Sequence, residues 1–144
     1  MKVLVQRSLA ASVKVDGKVV GAIEHGQMVL VGIEKGDTEA DTQRLADKLL
    51  KYRMFSDEDG KMNLNVQQVN GGVLLVSQFT LAAETKKGLR PGFSTAAIPE
   101  EGERLFNDFV AKVKAQYPHV ATGQFGADMK VEFTNDGPVT FMLE

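Results

Sequence analysis

"ASVKVDGKVVGAIEHG", residues 11–26, decides the fold class. Val13 and Val15 alternate with polar neighbours ahead of Asp16-Gly17, and Val19 and Ala22 lie beyond it. Asp-Gly between two such segments is the chemistry of a tight hairpin, because both residues tolerate the positive φ that a two-residue turn demands. Working outward, Lys2–Arg7 reads as a strand ahead of the hairpin. Met28–Ile33 behind it is more uniformly apolar and belongs deeper in the same sheet. The first third of the chain is therefore strands joined by short turns.

Residues 38–53 change period. Thr38 or Asp41 caps a helix there, with Leu45, Leu49 and Tyr52 on one face at three- and four-residue spacing. "FSDEDGKMNLNV" follows as a polar loop turning at Asp59-Gly60. Gly71-Gly72 then leads into "VLLVSQFTL", residues 73–81, the clearest buried strand of the chain. "AAETKKGLRPGFS" is a basic loop punctuated by Gly and Pro. Pro99 opens a second helix, with Glu100, Glu101 and Glu103 at its positive end. Its buried face carries Leu105, Phe106, Phe109, Val110 and Val113, and Pro118 ends it. "DMKVEFTNDGPVTFMLE" reads as two strands around an Asn135-Asp136-Gly137-Pro138 turn. The expected architecture is α+β: a single domain, residues 1–144, with a mostly antiparallel, curled, barrel-like sheet and two helices.

A chain of 144 residues is long enough to bury a core without disulfides or metals. It has no Cys, which removes thiol nucleophiles, Cys-ligand zinc sites and redox chemistry. The opening residues carry charge throughout and hold no long apolar run, so a soluble, cytoplasmic protein without a membrane segment is expected. A net charge of −2 argues against a long nucleic-acid groove but allows a local basic patch.

The usual catalytic sets are missing. His25 beside Gly26 and His119 after Pro118 sit where solvated or capping histidines occur. Asp57, Glu58 and Asp59 lack the spaced ligands of a calcium loop, so neither a metal nor a cofactor is expected. Gly71-Gly72 precedes a strand and is followed by no Lys-Ser/Thr, so it is not a phosphate loop. What remains is "SQFTL", residues 77–81, where hydroxyl and amide groups cluster at the end of a buried strand. Polar residues there could simply satisfy the last backbone groups of a fraying strand. Beside them, however, Lys86, Lys87 and Arg90 lie in a flexible loop, and the two together could cradle a polar, anionic ligand.

Taken together, "SQFTLA", "RPGFS" and "NDGPVTF" resemble the D-aminoacyl-tRNA deacylase family. The likeness runs the length of the chain, through "VQRSLAASVKVDG" and "YRMFSDEDGKMNLNV". It implies an editing hydrolase that cleaves the ester between a D-amino acid and the 3′ end of tRNA. It implies a homodimer with active sites at the subunit interface, where Ser77, Gln78, Phe79 and Thr80 of one subunit meet Gly137-Pro138 of the other across a cis Gly-Pro bond. Two consecutive carbonyls would then face the substrate's chiral centre and leave no room for an L side chain. Gly92 departs from the Ser expected after Arg-Pro.

An aminoacyl ester is already activated, so its hydrolysis needs a placed water, a stabilised oxyanion and a route for a proton. Backbone N–H groups at Phe79 and Thr80 could serve the oxyanion, with Gln78 in support; one such donor is worth roughly 3–4 kcal/mol. No side-chain base is evident. The resemblance implies that the 2′-hydroxyl of the terminal adenosine assists. Thr80 is the other candidate, and without a neighbouring base a positioning role suits it better than a nucleophilic one. Lys86, Lys87 and Arg90 are candidate tRNA contacts or, equally, a solvated loop. Two other classes stay open: a non-catalytic dimeric RNA- or nucleotide-binding module, and a Thr-dependent hydrolase of small D-amino acid esters.

Overall fold

The structure is a computed structural model describing residues 1–144. The Asp16-Gly17 hairpin forms as expected, with φ of 49° and 77° at its two central residues. It joins β1 (Lys2–Val15) to β2 (Lys18–Ile23), and β3 (Gly26–Gly32) runs antiparallel along the first half of β1. The first strand is longer than the sequence implies. Lys2–Arg7 and Ala11–Val15 are one 14-residue strand, because β8 (Lys130–Leu143) pairs antiparallel with β1 along most of its length. Between Ser8 and Ala11 that ladder shifts: three steps along β1 oppose two along β8. One extra residue reverses which face the alternating side chains reach. Val3 and Val5 therefore join the core under the helices, whereas Ala11 and Val13 join a second cluster with Met28, Leu74 and Val76.

The sheet continues through β6 (Gly72–Ser77) and β7 (Val120–Thr122), in the order β2-β1-β3-β6-β7. Both added pairs are parallel: β3 with β6 and β6 with β7. A parallel crossover needs a long connection. Residues 33–71, including α1 (Glu39–Lys51), supply one and α2 (Pro99–Gln116) the other. The sheet curls until β7 reaches β2. At that seam Gly21 lies so close to Thr122 that a Cβ would fall 2.2 Å from the Thr122 carbonyl oxygen. A glycine is required there for the nearly closed barrel.

Both helices form where the amphipathic spacing places them, α1 after a Thr38–Asp41 capping box and α2 with Pro99 in its first turn. They pack on one face of the sheet, burying Leu45, Leu49, Leu50, Leu105, Phe106 and Phe109. A polar clip also joins them. Lys112 Nζ lies 2.8 Å from Asp108 and donates to Thr42 Oγ1 at 2.9 Å, and the Thr42 hydroxyl lies 2.5 Å from Asp108. Lys112 first, and then Thr42, hold the Asp108 carboxyl below the usual carboxylate range. No helix is long and apolar enough to cross a membrane.

Four local expectations need correction. "VLLVSQFTL" is a strand only to Ser77; Phe79–Ala82 form a 3-10 turn. The polar loop after α1 holds a short hairpin, β4 (Phe55–Ser56) with β5 (Met62–Leu64), turning near the expected Asp59-Gly60. The edge strand β7 is additional, three residues too short for a periodic signal. Finally, Asn135–Pro138 does not separate two strands that fold back on each other. β8 keeps β1 as its neighbour on both sides, with Ser8 opposite Asn135 and Gln6 opposite Thr140. Five steps along β8 oppose two along β1, so the segment stands out from the sheet as a bulge.

Candidate active site

Ser77 ends β6 at the carboxyl end of the parallel β3–β6 pair, beside a cavity of about 710 Å³. Ser77, Gln78 and Phe79 form one wall; Ala96–Pro99 and Phe125–Met129 form others. The Gln78 N–H is spent on the Val31 carbonyl at 2.8 Å, which fixes where the strand turns aside. Past it, the Phe79 and Thr80 N–H groups make no hydrogen bond within the chain. That follows from the 3-10 turn, whose first N–H groups have no partner inside it. Two unused donors thus stand side by side in the chain, the first of them on Phe79 in the cavity wall.

The side chains add to this. Gln78 Nε2 donates to Thr80 Oγ1 at 2.5 Å, leaving the Thr80 hydroxyl proton free to point elsewhere. No carboxylate, amine or imidazole hydrogen-bonds to Thr80. Phe79 is exposed and tilts against Phe93, with centroids 5.2 Å apart. Thr95 donates from Oγ1 to the Ala82 carbonyl, tying the loop back to the 3-10 turn.

Lys86, Lys87 and Arg90 lie on the loop that follows the 3-10 turn, exposed and without an ion-pair partner. Glu84 and Gly92 close the base of the loop through two backbone hydrogen bonds of 2.7 and 3.0 Å. A Cβ on Gly92 would meet Glu84 atoms only at 3.7 Å, ordinary contact. Glycine is not sterically required there, so the departure at Gly92 leaves the loop closed.

Gly137-Pro138 is a cis peptide, and both residues are exposed on the bulge. Sequence reasoning missed what holds the bulge in place. Arg7 Nε donates to the Asp136 carbonyl at 3.1 Å and lies 3.4 Å from its carboxylate, while Nη1 donates to the Met54 carbonyl at 3.3 Å. Asn135 braces the bulge from within. Its Nδ2 donates to Thr140 Oγ1 at 3.0 Å and its Oδ1 accepts from the Val139 N–H at 3.1 Å. Gly137 has φ of 132°, and a Cβ there would fall 2.7 Å from Val139 Cγ2 and 3.1 Å from Arg7 Nη2. No local signal marks Arg7, one of several polar residues in β1, because its partners lie 47 and 129 residues away.

Within one chain, the polar strand end and the bulge do not come together. The bulge faces Arg7, which pairs with Gln27, which in turn pairs with Val73 at the start of β6. Ser77 lies four residues further along that strand and the bulge three strands across, a separation of roughly 20 Å at ~3.3 Å per residue and ~4.8 Å per strand. His25, whose Nε2 lies 3.1 Å from the Val69 carbonyl, and His119, edge-on to Tyr117, are outside the cavity wall. No three His, Cys, Asp or Glu side chains converge in a way that could hold a metal ion.

Comparison with known proteins places this geometry among relatives. A family model described as D-Tyr-tRNA(Tyr) deacylase matches residues 4–144. A D-aminoacyl-tRNA deacylase of Marinomonas sp. (strain MWYL1) is 85% identical over 144 residues, all of both chains. One from Saccharophagus degradans is 59% identical over 143 residues, 99% of each. Among solved structures, a c-Myc DNA unwinding element binding protein superposes with a TM-score of 0.96 at 40% identity, covering 100% of this chain and 98% of that one. A probable eukaryotic D-amino acid tRNA deacylase gives a TM-score of 0.82 at 18% identity, covering 99% and 97%, a likeness of fold alone.

Proposed function

The chain belongs to the D-Tyr-tRNA(Tyr) deacylase family, and from that premise we propose that it is an editing hydrolase that cleaves D-aminoacyl-tRNA to free amino acid and tRNA. The observation that carries the reading is the pair of unused N–H groups at Phe79, which lines the cavity, and at Thr80 next to it in the chain. They are donors of the kind that stabilise the oxyanion formed when water attacks an ester carbonyl. Ser77 and Gln78 shape the same edge, and Thr80 positions rather than attacks. The proton chemistry falls to the 2′-hydroxyl of the terminal adenosine. An activated ester needs no further cofactor, and a cytoplasmic location follows from the substrate.

The enzyme works as a homodimer in this reading. Gly137 and Pro138 of a second copy close the cavity and exclude L side chains, a geometry that one chain's roughly 20 Å separation does not allow by itself. Phe79, Leu89, Phe93 and Ile98 leave apolar surface exposed around the cavity, which a second copy would cover. Light scattering at micromolar concentration should give twice the chain mass, and a fully active monomer would overturn this arrangement. Lys86, Lys87 and Arg90 are the candidates, in this reading, for contacts to phosphates near the acceptor end.

Release of the amino acid from D-aminoacyl-tRNA tests the activity directly. One observation favours a second reading, a nucleic-acid-binding module without catalysis: the relative at 40% identity whose name describes DNA binding. Binding without release of amino acid would favour that alternative.

A further inference from the structure

We propose that Lys51 and Arg53 form a second phosphate-contacting site, which holds the acceptor end of the tRNA beside the Gly137-Pro138 bulge. This rests on the deacylase reading and adds a surface to it. The segment after α1 is fastened to the strand that carries the bulge at two points. Tyr52 packs edge-on to Phe141 with ring centroids 5.3 Å apart, and the Met54 carbonyl accepts from Arg7, which also holds Asp136. Tyr52 and Met54 turn inward, so Lys51 and Arg53 between and beside them turn outward, and both are exposed. On this proposal a substrate end that reaches the bulge would meet these two cations.

Their charges are free. Arg7, Arg44, Arg104, Lys112 and Lys130 each pair with a carboxylate, whereas Lys51 and Arg53 do not. The one contact of Arg53 is with the neutral Asn63 side chain, Nη1 to Oδ1 at 3.3 Å. The acidic turn of the neighbouring hairpin leaves them uncompensated: the Asp57 carboxylate accepts instead from the backbone N–H groups of Asp59 and Lys61. Lys51 also ends α1, where a cation suits the helix dipole. Arg53 lies beyond the helix and has no such role. An arginine fork with no carboxylate suits a phosphate oxygen. With Lys86, Lys87 and Arg90 on the cavity's own chain, the closed dimer would present cations to the RNA from both copies.

The test is the double variant Lys51→Gln/Arg53→Gln, assayed on D-aminoacyl-tRNA and on a D-aminoacyl ester of adenosine alone, across a range of KCl. On tRNA, kcat/KM should fall, and its log-log salt slope should flatten by about 1.5 units, slightly less than one per lost phosphate contact. On the adenosine ester it should be unchanged, because that substrate has no acceptor-stem phosphates. Lys14→Gln/Lys18→Gln, at the far hairpin tip, should leave both substrates as they were. An unaltered salt slope on tRNA would overturn the proposal. So would an equal loss on both substrates, which would mean that the bulge itself had moved, or a fall in thermal stability alone, which would mean that Lys51 serves only the helix. A wild-type protein inactive on both substrates would remove the deacylase reading and this one with it.

Discussion

Glycyl-tRNA is expected to be hydrolysed together with D-aminoacyl-tRNAs of unlike side chains, while L-aminoacyl-tRNA is spared by at least about a thousandfold in kcat/KM, ~4 kcal/mol. The expectation follows from what a backbone bulge does to a chiral centre. A pocket that tells two side chains apart by one methylene gains only about 1–3 kcal/mol, too little for editing. A rigid main chain placed where an L side chain must go gives far more. Glycine has no side chain to reject, and a D side chain points the other way. Rigidity is the requirement, and the structure supplies it. Arg7 grips Asp136, and the Asn135 side chain bridges Thr140 and the Val139 N–H across the bulge.

Gly137→Ala tests the same point from the protein's side. Its Cβ would sit 2.7 Å from Val139 Cγ2, at a φ of 132° that L residues rarely adopt. The bulge must therefore shift, and a misplacement of about 1 Å costs on the order of a hundredfold in turnover. Both D and glycyl substrates should lose that much. Side-by-side deacylation of D-, L- and glycyl-tRNA decides the matter. Rapid D cleavage with glycine resistant would mean that the pocket grips a D side chain, and exclusion would have to be abandoned.

How far the sequence announces this molecule depends on where each residue's partners lie. The Asp16-Gly17 hairpin and both helices are legible because their causes are local: turn chemistry, caps, and apolar residues at three- and four-residue spacing. The bulge is not. Asn-Asp-Gly-Pro has the composition of a turn between strands, and only the pairing of β8 with β1 on both sides makes it protrude instead. The same holds for the parallel pairs around β6, which depend on long crossovers. At the candidate site, "SQFTL" is visible as polar groups at the end of an apolar run. Gln78 makes the last rung to Val31, and the change from strand to 3-10 turn at Phe79 follows from the Leu81 N–H bonding back to the Gln78 carbonyl. Arg7 is the plainest omission, since every partner it has is distant in the chain.

Replacing the 2′-hydroxyl of the terminal adenosine by hydrogen should lower hydrolysis by at least about a hundredfold, the lower end of what a placed proton donor or acceptor contributes. Thr80→Ala should keep activity within about tenfold of wild type, the size of one ordinary hydrogen bond. The two predictions share one argument. A threonine nucleophile needs a base to take its proton, and none touches Thr80. What touches it is the Gln78 amide, donating to Oγ1 at 2.5 Å, which draws electron density away from the oxygen that would have to attack. That arrangement suits a hydroxyl that holds the Gln78 side chain and donates outward. Removing the methyl and hydroxyl leaves the Phe79 and Thr80 N–H groups in place, since the turn is set by backbone hydrogen bonds from Leu81 to Gln78 and from Ala83 to Thr80. The oxyanion donors therefore survive Thr80→Ala. The 2′-hydroxyl, adjacent to the scissile ester, is the group expected to move a proton there. Single-turnover rates on matched ribose and deoxyribose substrates, with wild type and Thr80→Ala, separate the cases. A deoxy substrate cleaved at the full rate by wild type but not by the Thr80→Ala enzyme would shift the proton chemistry from the RNA to Thr80.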